Sequence, residues 1–118
     1  PPAGRPLGPR VAADDLTVVL VTVPTSDLGT AIGRTLVEEK LAACVNLVPG
    51  VRSIYVWQDK LCEDAEVLCL IKTRRDRLPA LQARLGELHP YDVPEILAIA
   101  PESVNAAYRE WLLAGTRS

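Results

Sequence analysis

The alternation of apolar and polar residues along the chain predicts four strands and three helices. Residues 16–23 are a nearly continuous run of leucine, valine and threonine, which is typical of a strand buried on both faces. The second and third strands are joined by the polar residues 58–60, so we expect them to form a long hairpin. The predicted strands are 16–23, 41–57, 63–73 and 95–100, and the predicted helices begin after the caps Ser26, Asp76 and Ser103 and end near Leu36, His89 and Gly115.

This order of elements, β-α-β-β-α-β with a final helix, predicts an α+β protein with the ferredoxin-like fold. Both crossover helices are expected on one face of a four-stranded antiparallel sheet. Pro49 and Gly50 interrupt the second strand, which suggests a β-bulge or a bend there. Residues 1–15 are rich in proline and glycine and lack a sustained apolar face, so we expect a flexible tail before a domain at 16–115.

The third strand is apolar on both of its faces. Val67, Cys69 and Ile71 point to one side, whereas Leu68 and Leu70 point to the other. Two crossover helices can cover only one face of the sheet, and an exposed apolar face usually marks an interface. We therefore expect an oligomer, although the third helix could instead cover the second face within one subunit.

The composition excludes several classes of function. The 118 residues carry a net charge of −2, which argues against nucleic acid as a partner, because phosphate binding needs a basic surface. Three cysteines give an odd count without a disulfide pattern, so we expect a reducing, cytoplasmic location. No run approaches the roughly 20 apolar residues of a membrane span. The chain has one histidine and no nucleophile elbow or phosphate-binding loop, so we expect no enzyme activity.

Cys44 and His89 are the best candidates for metal ligands. A thiolate and an imidazole suit copper or zinc. The two residues lie far apart in sequence, so their spacing carries no ligand signal. The alternative therefore stays open that Cys44 is a core residue and that His89 simply ends a helix.

A second set of residues could line a cleft between subunits, namely Lys72, Tyr91, Glu95 and Trp57, together with Glu66. A lysine at the end of an apolar strand can bind an anion or pair with a carboxylate. Trp57 could equally serve packing at an interface. The residues alone leave these alternatives open.

Several separated motifs together resemble the CutA family. They are LAACVN at 41–46 followed by Pro49, SIYVW at 53–57, Glu66-Val67 with Ile71-Lys72-Thr73, and His89-Pro90-Tyr91 with Pro94-Glu95-Ile96. The resemblance extends from about Val18 to Trp111. The sequence departs from the family pattern at residues 58–60, where a glycine-containing turn is commoner.

The resemblance implies a compact homotrimer, related in fold to the PII signalling proteins, that is associated with tolerance of divalent cations and with copper binding. Cys44 and His89 match positions that have been proposed as ligands in the family. Two hypotheses follow: a trimer that binds copper or another divalent metal, or a PII-like signalling or structural trimer that binds a small molecule or protein between its subunits. The second includes a role in anchoring acetylcholinesterase, to which a mammalian branch of the family has been linked.

Overall fold

The computed structural model of the chain describes residues 6–117. Within this range the strands are β1 (Arg10–Ala12), β2 (Leu16–Val23), β3 (Cys44–Trp57), β4 (Lys60–Arg74), β5 (Leu97–Ile99) and β6 (Ser103–Asn105), and the helices are α1 (Ser26–Glu38), α2 (Leu78–Leu88) and α3 (Ala106–Gly115). None of the helices described here is both long enough and apolar enough to cross a membrane.

The main sheet has the order β3-β4-β2-β5, and each neighbouring pair is antiparallel. The predicted ferredoxin-like α+β fold is therefore confirmed. Strand β4 begins at Lys60, earlier than the predicted residue 63, because residues 58 and 59 alone make the hairpin turn. Strand β5 is shorter than predicted and spans only Leu97–Ile99.

The helix starts differ from the predicted caps. Helix α1 is capped by Thr25, whose hydroxyl accepts a hydrogen bond from the Leu28 N–H at 3.1 Å, rather than by Ser26. A 3₁₀ turn precedes α2, and Asp76 bonds Arg74 instead of capping that helix. Propensity identified the right residue types, but the local backbone path selected which oxygen faces a free N–H group.

The predicted third cap, Ser103, lies in β6 instead, and β6 pairs with β1. Strand β1 falls within the segment predicted as a tail, of which residues 1–5 lie outside the described residues. Backbone carbonyls of this segment take the place of a capping side chain for α3. The Ala106 N–H donates to the Pro9 carbonyl at 2.9 Å, and the Ala107 N–H donates to the Leu7 carbonyl at 3.1 Å.

One face of the sheet holds the main core. Alternate residues of β2 and β4 point to this face and contact α1 and α2, as their side-chain period of two requires. The buried residues of this core include Val19, Val21, Cys69, Ile71, Ile32, Leu36, Leu81 and Leu85. Burial raises the pKa of the Cys69 thiol, in keeping with a packing role.

The other face of the sheet, which we call the open face, remains largely uncovered. Helix α3 contacts only one end of it, where Tyr108 lies near Lys72. Farther along, Leu97 is 56% exposed and Ile99 is 47% exposed. The third helix therefore does not cover this face within one subunit.

Candidate functional site

A bulge in β3 determines which residues meet at the site. The pairing of β3 with β4 shifts between Val48 and Val51, as Pro49 and Gly50 predicted, and Gly50 has a φ of 79°. Because side chains alternate between faces, one extra residue moves every later side chain of β3 to the opposite face. Ser53 and Tyr55 consequently share the open face with their partners on β4.

A cleft of about 710 Å³ lies between this part of the hairpin and the segment that follows α2. The residues that line it are Thr22, Ser53, Ile54, Tyr55, Trp57, Asp64, Glu66, Pro90, Tyr91, Asp92, Val93 and Glu95. Aromatic residues and acidic residues therefore line a single cavity.

Two tyrosine–carboxylate hydrogen bonds order this cleft. Tyr91 Oη donates to Glu66 Oε2 at 2.9 Å, and Tyr55 Oη donates to Asp64 Oδ2. Burial and the bond to Glu66 raise the pKa of Tyr91 to about 12. The bond to Asp64 is the main cause that raises the pKa of Tyr55 to about 12 as well. Both phenols thus stay protonated at neutral pH and act as donors.

His89 anchors the segment after α2 to the sheet. Its Nε2 lies 2.8 Å from the Thr22 carbonyl oxygen, and its Nδ1 is 3.2 Å from the Tyr91 backbone nitrogen, whose N–H donates to it. Because a carbonyl can only accept, Nε2 carries the proton and Nδ1 provides the lone pair. His89 is only 7% exposed, and its ring packs on that of Tyr91 at a centroid distance of 4.7 Å. Both ring nitrogens are therefore already used within the protomer.

Cys44 lies elsewhere on the sheet. It pairs with Lys72 on β4, whereas Thr22, which His89 contacts, pairs with Leu68. Four residues of a strand correspond to about 13 Å, so one protomer does not bring Cys44 and His89 to a common metal. Within residues 6–117 there is also no group of three or more histidine, cysteine, aspartate or glutamate side chains that could hold a metal ion. The described part of a single protomer thus does not by itself form a metal centre.

Three of the four residues predicted to line a cleft lie in this one, and the fourth does not. Trp57, Tyr91 and Glu95 line the cleft. Lys72 is six residues from Glu66 along β4, which corresponds to about 20 Å. Its ammonium nitrogen lies 6.0 Å from the ring centroid of Tyr108 instead.

Sequence reasoning did not assign Tyr55, Asp64 or Asp92 to the cleft. The Pro49–Gly50 bulge was the signal that could have found two of them, because a shifted register puts Tyr55 and Asp64 on one face. Asp92 lies in a segment without periodicity, so no pattern indicated its direction.

The order of the strands and the two crossover helices place this protein in the class of ferredoxin-like α+β proteins. The outer part of its β3–β4 hairpin, residues 51–66, forms an arm that borders an acidic, aromatic cleft. A family model described as CutA1 divalent ion tolerance protein matches residues 17–114. The chain belongs to this family.

The chain is similar to known proteins both in sequence and in fold. The chain is 50% identical over 99 residues to the divalent-cation tolerance protein CutA of Thermus thermophilus, which covers 84% of this chain and 96% of that protein. It is 42% identical to human Protein CutA over 87% of this chain, but it spans only 58% of the human protein. The structure of CutA from Synechococcus elongatus superposes with a TM-score of 0.90 at 35% identity, covering 94% of this chain and 98% of that chain.

Proposed function

We propose that this chain forms a homotrimer that binds copper or another divalent metal and takes part in the cytoplasmic response to metal ions. Membership of the divalent ion tolerance family supports the metal-related role. The observation that carries the assembly is the open face of the sheet, which keeps Leu97 and Ile99 about half exposed. A stable interface would remove these side chains from water.

The hairpin arm supports the same assembly. It extends beyond the helices, and the described residues span 49 Å along the longest axis but 24 Å along the other two. Ile54, Val56 and Leu61 are 61%, 66% and 74% exposed on this arm. An isolated two-stranded hairpin is only marginally stable in water, so contact with neighbouring subunits would stabilise it.

Light scattering coupled to size exclusion tests the trimer. We expect the mass of three chains at micromolar concentration. Leu97→Asp places a charge on the open face and should release monomers. Val37→Asp is the matched control, because Val37 is 42% exposed but lies on α1, on the other side of the sheet. A wild-type mass of one chain would refute the proposal.

Cys44 is the soft ligand that we propose for the metal, completed by groups from neighbouring subunits. Copper titration into the wild type and Cys44→Ala should show weaker binding by the variant. His89→Ala should lower stability, because His89 anchors a segment, and a folded His89→Ala trimer should keep its affinity for copper. Equal and weak binding by all three proteins would refute the metal proposal.

A second candidate function, a PII-like signalling or structural trimer, is favoured by the cleft of about 710 Å³. A thermal-shift screen of nucleotides and other small molecules tests it, because a ligand that binds only the folded state raises the melting temperature. Binding of another protein, including an anchoring role for acetylcholinesterase, belongs to the same candidate and would be measured by direct titration.

We also propose that the chain is not an enzyme, since the only histidine of the sequence has both ring nitrogens engaged.

A further inference from the structure

The charges that line the cleft all have one sign. Asp64, Glu66, Asp92 and Glu95 contribute carboxylates, and no lysine, arginine or histidine is among the described residues that line it. Carboxylates that share a cavity concentrate a negative potential there. The cleft therefore repels phosphates and other anions and attracts cations.

Glu66 adds an observation that is independent of the number of acidic groups. Its side chain belongs to a residue that is only 7% exposed, yet its one hydrogen bond comes from the neutral Tyr91 phenol and reaches Oε2 alone. Among the described residues, none donates a hydrogen bond to Oε1, and no basic side chain forms a salt bridge with Glu66. Within residues 6–117, Oε1 is not one of the fully buried side-chain atoms without a partner, so it borders the cleft and is free to accept a hydrogen bond from a ligand there.

Aromatic rings form the rest of the wall. Tyr55, Trp57 and Tyr91 line the same cavity, together with Ile54 and Val93. A ring face attracts an organic cation, most strongly when the ring is tryptophan. Rings and aliphatic groups contribute nothing to the coordination of a hard metal ion, which requires six or more oxygen ligands at short distance.

The carboxylates of the cleft do not converge on one point. They do not form a group that could hold a metal ion. Asp64 and Glu66 are two residues apart on β4, which separates their Cα atoms by about 7 Å. We propose that this cleft binds an organic ammonium ion, with its alkyl part against the rings and its charged nitrogen beside Glu66. The inference goes beyond the metal-binding function proposed above and does not depend on Cys44, but it rests on the proposed trimer leaving the cleft open, because Tyr55 and Trp57 lie on the hairpin.

Calorimetric titration with pentane-1,5-diamine tests this inference, and the uncharged pentane-1,5-diol is the matched ligand. We expect the diamine to bind, the diol to give no heat of binding, and added salt to weaken the diamine. Glu66→Gln keeps the shape of the side chain and should raise the dissociation constant at least about tenfold, because it removes a buried charge partner. Trp57→Leu should raise it by about threefold through the loss of a cation–π contact.

Glu102→Gln is the control variant, because the Glu102 side chain is 91% exposed and pairs with Arg10, away from the cleft. It should bind the diamine as the wild type does, and circular dichroism should show that Glu66→Gln is folded. No binding of the diamine by a wild type of normal solution mass would overturn the inference and leave the trimer standing. Equal binding of the diol, or equal affinities of Glu66→Gln and Glu102→Gln, would also overturn it. Loss of copper binding in Cys44→Ala, with diamine binding retained, would separate this site from the proposed metal site.

Discussion

Tyr91 and Glu66 should stabilise the folded chain as a coupled pair. Tyr91→Phe removes the one hydroxyl that, within residues 6–117, donates to the Glu66 carboxylate, and Glu66 is 7% exposed. A hydrogen bond to a charged group is worth about 1.5–3 kcal/mol. Because Tyr91 is itself 39% exposed, water can partly replace the lost donor. We therefore expect Tyr91→Phe to lower the free energy of unfolding by about 1–2 kcal/mol.

A double-mutant cycle measured by urea denaturation tests this coupling. Glu66→Met removes the charge at similar volume, and in that background Tyr91→Phe should cost much less, with a coupling energy of about 1 kcal/mol. Protein concentration must be equal throughout, because assembly shifts apparent stability. Tyr55→Phe is the control, since its partner Asp64 is exposed, and it should change stability by less than about 0.5 kcal/mol. Additive single substitutions, or a Tyr55→Phe as costly as Tyr91→Phe, would show that burial of Glu66 is not what makes the bond matter.

Three further predictions concern the turn, the helices and alkaline pH. Asp59 has a φ of 63°, so Asp59→Gly should stabilise the hairpin turn by about 0.5 kcal/mol in urea denaturation, and a loss would refute the argument. Gly29→Ala should lower the free energy of unfolding by about 1 kcal/mol, because its new Cβ would lie 2.7 Å from a leucine methyl of β3. Gly86→Ala should raise the free energy of unfolding by about 1 kcal/mol, because nothing lies within 4 Å of the added Cβ. The opposite order of stabilities would contradict this packing. The pKa of Tyr55 and that of Tyr91 are raised from 10.0 to about 12, so the stability that these two groups contribute is complete below pH 10 and is lost between pH 10 and 12. The absorbance of tyrosinate should therefore rise near pH 12. A titration midpoint near pH 10 would show that the two hydrogen bonds are absent.

Local patterns predicted the elements of the main sheet well. The continuous apolar run of β2, the hairpin and the Pro49–Gly50 bulge all depend on residues that are close in sequence, so they could be predicted from the sequence. Strand β6 was mistaken for the start of a helix, because its pairing partner β1 is distant in sequence. Short strands of three residues have too little pattern of their own to be recognised without that partner.

The sequence by itself determined the ferredoxin-like order of elements, the apolar character of both sheet faces and the acidic net charge, because periodicity and composition are properties of the chain. Only the tertiary structure decided which side chains share a site. It placed Tyr55 and Asp64 with Tyr91 in one cleft, and it separated His89 from Cys44. The physical reason for the first is that a one-residue change of register moves every later side chain of a strand to the opposite face. The reason for the second is that both ring nitrogens of a buried histidine need hydrogen-bond partners, and the backbone groups that serve here meet His89 only in the folded chain.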